Sequence, residues 1–131
     1  MSLSFEKLEV YQLAEKLADD IWSIISKWEY FEKETLGKQL TRAADSIGAN
    51  IAEGSGRGSY QDNRRFVRIA RGSLYETRHW LRRTFHRKLL TEKQVQELQP
   101  LISELGPRLN AYLRSIGPTE ASNYESRTKD K

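Results

Sequence analysis

The 131-residue chain contains no cysteine, which excludes a disulfide framework and a thiolate metal site. Histidine is almost absent. His79 and His86 lie seven residues apart on a helical pattern, about 10 Å along the axis, too far to share one ion, and no His-Glu-x-x-His pattern occurs. No metal site or cofactor is expected. Apolar runs approaching a membrane span are missing, and Met1-Ser2-Leu3-Ser4 is neither basic nor followed by an apolar stretch. Neither a membrane anchor nor a signal peptide is therefore expected, and the cysteine-free composition fits a reducing cytoplasm. The glycine-rich turn at 54–58 is not followed by Gly-Lys-Ser/Thr, so it is not a P-loop. No nucleophile–base constellation is present, and the chain is read as non-enzymatic.

Proline (3 residues) and glycine (8 residues) are also scarce, which leaves long uninterrupted segments. Apolar residues recur in them at three- and four-residue steps, and no strand pattern competes. Four helices are expected: about 5–28, 35–53, 59–88 and 91–116. Gly54 is placed to end the second, Ser59 to cap the third, and Thr91 with Gln94 to open the fourth as a capping box. Gly106-Pro107 interrupts the fourth pattern, which resumes in phase, so one kinked helix is expected. Short connections make sequential helices antiparallel. The fold expected is all-α, an antiparallel up-down-up-down four-helix bundle over residues 1–118, followed by a flexible polar tail at 119–131.

Charge is distributed unevenly. Residues 41–90 hold 11 of the 22 basic side chains and 4 of the 18 acidic ones. On the third helix Arg64, Arg68, Arg71, Arg78 and Arg82 fall within roughly 40° of one line, with Tyr75 on it. Phe66, Ile69, Ala70, Ser73, Leu74, Thr77, Trp80, Leu81 and Thr84 are expected on the opposite, packing side. Two readings of the stripe stay open. Arginine offers a planar fork that binds phosphate oxygens in pairs, and Tyr60 and Tyr75 are of a type that stacks on unpaired bases. Alternatively the stripe is a solvated face, or pairs across a subunit contact with Glu6, Glu9, Glu15, Asp19 and Asp20 of the first helix.

The segment 42–57 crowds Ala43, Ala44, Ser46, Gly48, Ala49 and Ala52 onto one helix end, and small side chains permit close approach of a neighbouring backbone. Ser46, Asn50 and Glu53 share a face. They are read as a helix-to-turn junction, with Asn50 bonded to backbone and Glu53 paired to Arg57 or Arg42. The competing reading is a ligand or phosphate site at the glycine turn. Glu76 is expected to make ion pairs within or between subunits.

Three segments carry a resemblance. Ser46-Ile47 with Asn50-Ile-Ala-Glu-Gly54 and Gly56-Arg57, Ile69-Ala-Arg-Gly72-Ser73-Leu-Tyr-Glu76, and Phe5-Glu-Lys-Leu8-Glu-Val-Tyr11 resemble signatures of the bacterial 23S rRNA intervening-sequence proteins, over about residues 5–116. The chain departs from that pattern at Glu32, where many members carry proline. The resemblance implies an antiparallel four-helix bundle that assembles as a homopentamer. It is related to accessory proteins of diversity-generating retroelements, which bind nucleic acid and a protein partner, a reverse transcriptase. It supplies no catalytic residues. Two functions are thus expected. The first is an oligomeric bundle binding RNA or other nucleic acid through Arg64, Arg68, Arg71, Tyr75, Arg78 and Arg82. The alternative is an oligomeric scaffold or protein-partner adaptor.

Overall fold

Val10, Ala14, Leu17, Ile21 and Ile25 form one apolar stripe, and it folds as helix α1 (Glu9–Ile25). The computed structural model describes residues 4–118; the tail expected at 119–131 lies outside the described residues. Helix α1 is shorter than its apolar pattern. A 3-10 turn, Ser4–Lys7, precedes it, and extended Leu8 separates the two. At the other end the Ser26 hydroxyl bonds the Ser23 carbonyl at 2.7 Å, and Trp28 lies beyond the helix, half-buried against the core.

Helix α2 covers residues 30–55 and starts earlier than its pattern suggests. It comprises a short α-turn (Tyr30–Glu32), a π-helical stretch (Lys33–Gly37) and a long α segment (Lys38–Ser55). Gly37 is buried under α1, where a Cβ would meet Ile25 Cγ2 at 3.1 Å. The expectation that Gly54 ends this helix is corrected. The helix continues through Gly54 to Ser55, and Gly56 caps it with an ordinary φ of −87°. Gly54 serves packing instead. A Cβ there would lie 2.9 Å from Phe66 Cβ and 3.1 Å from the Asn63 carbonyl oxygen, so only glycine admits the next helix this close.

Helix α3 (Tyr60–His86) opens at Ser59, whose hydroxyl accepts from the Asp62 N–H at 3.1 Å. It closes with the Leu89 N–H on the Thr84 carbonyl and the Lys88 N–H on the Phe85 carbonyl. That is a Schellman arrangement, with Lys88 at φ 65° where glycine is usual. Helix α4 (Glu92–Ser115) opens with the Thr91–Gln94 capping box. It runs unbroken through Pro100 and Pro107. Both prolines are exposed, as are Gln96 and Ser103 one turn before them, so the carbonyls they release face water.

Each helix packs on its sequence neighbour and α4 closes back onto α1, the ring of an up-down-up-down four-helix bundle. The α2–α3 contact is the most extensive. Leu17, Ile21, Leu40, Ile47, Ile51, Leu105 and Leu109 are fully buried at the centre. Thr77 and Thr84 are buried too, their hydroxyls bonded to the carbonyls of Ser73 and Leu81. The packing side of α3 is rotated slightly from its expected position. Val67 is in the core, whereas Ile69 is 42% exposed. Among the described residues there is no strand, and no helix is long and apolar enough to cross a membrane.

Candidate nucleic-acid interface

The rotation of α3 sets where its arginines stand. Its buried residues Val67, Leu74 and Leu81 leave the stripe along the border between α3 and α4 rather than directly outward. The stripe therefore divides. Arg68, Arg78 and Arg82 are exposed, while Arg64 and Arg71 are half-buried against α4. Arg64 Nη1 donates to the Ile116 carbonyl at 2.9 Å, and Arg71 Nη1 donates to Asn110 Oδ1 at 3.1 Å. These acceptors are neutral, so both guanidinium groups keep their full charge and further N–H donors. Tyr75 is 62% exposed, and the Arg78 guanidinium sits 5.5 Å from its ring centre. Among the described residues none of the five arginines has a carboxylate within ion-pair distance.

Three other cations of residues 41–90, Arg42, Arg57 and Arg65, are ion-paired, whereas Arg83, Arg87 and Lys88 have no carboxylate within ion-pair distance among the described residues. Arg42 pairs with Glu76, which also accepts from Trp80 Nε1 at 3.1 Å. The Arg42 hydrogen bond, then that from Trp80, holds the Glu76 carboxyl below the usual glutamate range. Glu76 thus ties α3 to α2 within one chain. Arg65 pairs with Asp62 at 3.7 Å. Arg57 pairs with Glu53 at 2.7 Å and also covers the Phe66 ring at 4.8 Å, so it joins the end of α2 to α3. Arg65 covers the same ring at 4.6 Å.

The junction residues turn inward to their own helix. Asn50 Nδ2 donates to the Ser46 carbonyl at 2.8 Å, Ser46 Oγ donates to the Arg42 carbonyl at 2.7 Å, and Ser73 Oγ donates to the Ile69 carbonyl at 3.1 Å. Ser46, Asn50 and Glu53 accordingly form no convergent ligand set. Gly72 differs from Gly54: it is exposed, and a Cβ there would meet nothing within 4 Å. Among the described residues no packing requires glycine at 72.

These features can be set beside known proteins. The family model described as 23S rRNA-intervening sequence protein matches residues 6–111. The chain belongs to that family. No curated relative matches it. A crystal structure of a protein of unknown function from the S23 ribosomal protein family of Bacteroides thetaiotaomicron superposes with a TM-score of 0.74 at 25% identity. It covers 81% of this chain and 96% of that one.

In this intervening-sequence protein the arginine border leads into a groove that the sequence reading did not find. It occupies about 630 Å³ between the second half of α3 and the first half of α4. Leu81, Leu90, Val95, Leu98 and Ile102 form its apolar floor. Tyr75, Arg78, His79, Arg82, Phe85 and His86 form the wall on α3, and among the described residues no acidic side chain lines it. Two signals for it were present in the sequence, the Phe85-His86 pair beside Arg82 and the apolar Leu90. Only the gap between the helices joins them.

Proposed function

We propose that this protein is a non-enzymatic, self-associating bundle of the bacterial cytoplasm that binds RNA or other nucleic acid through phosphate contacts along the α3–α4 border. One observation carries the reading: five arginines on one border, none of them facing a carboxylate among the described residues, whereas Arg65 on the same helix and Arg42 on α2 are ion-paired. A row of uncompensated guanidinium groups on a rigid rod suits a polyanion, because several phosphates are met together and their counterions are released. No base-reading motif accompanies it, so affinity is electrostatic and sequence preference weak.

Self-association is supported by a different surface. Trp22, Tyr30 and Phe31 are 61%, 77% and 72% exposed where α1 ends and α2 begins. Large apolar side chains grouped in this way favour a protein contact. A pentamer is what the family resemblance implies. This surface also favours the second reading, an oligomeric scaffold or adaptor that binds no nucleic acid.

Titration of labelled RNA at two salt concentrations separates the two, using wild type and Arg68→Glu/Arg82→Glu. The replaced residues are exposed and make no side-chain bond among the described residues, so the fold is retained. The expected result is salt-sensitive binding that the variant loses, with the oligomer intact. Absence of binding at low salt assigns the scaffold. Loss of the oligomer in the variant assigns the stripe to a subunit contact.

A further inference from the structure

We propose that the groove between α3 and α4 receives an unpaired nucleobase, so that the protein selects single-stranded nucleic acid over duplex. This rests on the nucleic-acid reading above and adds which form of the polymer is held.

The occupant follows from what lines the groove. The floor is aliphatic, and buried Leu90 is part of it. One wall consists of planar groups: the rings of Tyr75, His79, Phe85 and His86 and the guanidinium planes of Arg78 and Arg82. Arg78 already lies over the Tyr75 ring, and Phe85 is 45% exposed at the edge. Planar side chains above an apolar floor suit a flat, weakly polar ring. Among the described residues the formal charges at the rim are all positive, so the ring it suits carries an anion beside it. Arg78 and Arg82 stand one helical turn apart, about 6 Å along the axis, and both belong to the stripe that would hold the backbone. A nucleotide unit joins a flat ring and an anion in this way. A duplex keeps its bases stacked inside and presents only phosphates, leaving the floor uncovered.

The test uses the full chain and three labelled RNAs of equal length: a single strand, the same strand with abasic sites throughout, and a duplex. Affinities are read at one salt concentration for wild type, Phe85→Ala and His79→Ala, with thermal melts confirming that each variant folds. The expected result is single-strand binding about tenfold tighter than abasic binding, a scale set by stacking on aromatic side chains. Both variants should lose most of that margin while duplex binding stays unchanged. Equal affinity for the base-bearing and abasic strands would overturn the proposal and leave the nucleic-acid reading standing. The same holds if either variant weakens all three RNAs alike. No binding to any of the three would overturn both. An acid-rich amphipathic peptide that binds wild type but not Phe85→Ala, without any base-dependent affinity for RNA, would give the groove to a protein partner.

Discussion

Replacing glycine by alanine at positions 54 and 72 should change stability in opposite directions. Both glycines are helical and belong to the segments that carry the family resemblance, but their surroundings differ. At Gly72 an added methyl meets nothing within 4 Å, so Gly72→Ala gains helix propensity, about 1 kcal/mol. At Gly54 the methyl would sit 2.7 Å from Asn63 Oδ1 and 2.9 Å from Phe66 Cβ. The Asn63 amide can rotate away, but Phe66 Cβ is fixed to the α3 backbone, so the helices must separate. Overpacking of this kind costs about 1–3 kcal/mol. Gly54 stands one residue from the end of α2 and gains less than about 1 kcal/mol from propensity, so the net effect is a loss, below about 3 kcal/mol. For a domain of this size 1 kcal/mol corresponds to roughly 3–5 °C in Tm. Thermal melts at matched protein concentration should therefore place Gly72→Ala above wild type and Gly54→Ala below it. Equal or higher stability of Gly54→Ala would refute the argument that α2 and α3 meet at a contact only glycine allows.

Two further substitutions test local geometry. Lys88 holds a left-handed φ of 65° at the end of α3, so Lys88→Gly should stabilise the fold by about 1 kcal/mol in denaturant titration, and a loss would contradict the Schellman assignment. Glu76 has a folded pKa below its unfolded value, so its contribution is present above the unfolded pKa of about 4.3 and disappears as pH falls through the folded value. Glu76→Gln should cost under about 1 kcal/mol at pH 7, because both partners are more than a third exposed, and the gap to wild type should close in acid. A gap that widens on acidification would show that the Arg42 contact is not what lowers the pKa.

Much of the fold was legible in the sequence because helix signals are local. Ser59 and the Thr91–Gln94 box mark two helix starts by short-range hydrogen bonds, and both form where their spacing places them. The boundaries near residues 8 and 30 were not legible. The 3-10 turn before Leu8 packs on α2, and the π-helical stretch ends at Gly37 against Ile25 of α1, contacts that no window of sequence contains. Gly54 reads as a stop by type, yet acts as a packing residue, because Phe66 and Asn63 arrive from another helix. The arginine line was visible as an angular repeat. Its division was not, since the partners of Arg64 and Arg71 lie near the far end of α4. Val67 and Ile69 exchanged roles because a shift in azimuth of a few tens of degrees decides burial at the edge of an apolar stripe.

The proposal that the α3–α4 border contacts phosphate is tested most directly by the salt dependence of RNA affinity in Arg68→Gln/Arg78→Gln/Arg82→Gln. Each phosphate contact contributes about 0.7 to the slope of log K against log salt for a single strand. The triple variant should therefore flatten that slope by about 2 relative to wild type while keeping its melting temperature. A slope unchanged from wild type would mean that these three arginines do not meet phosphate.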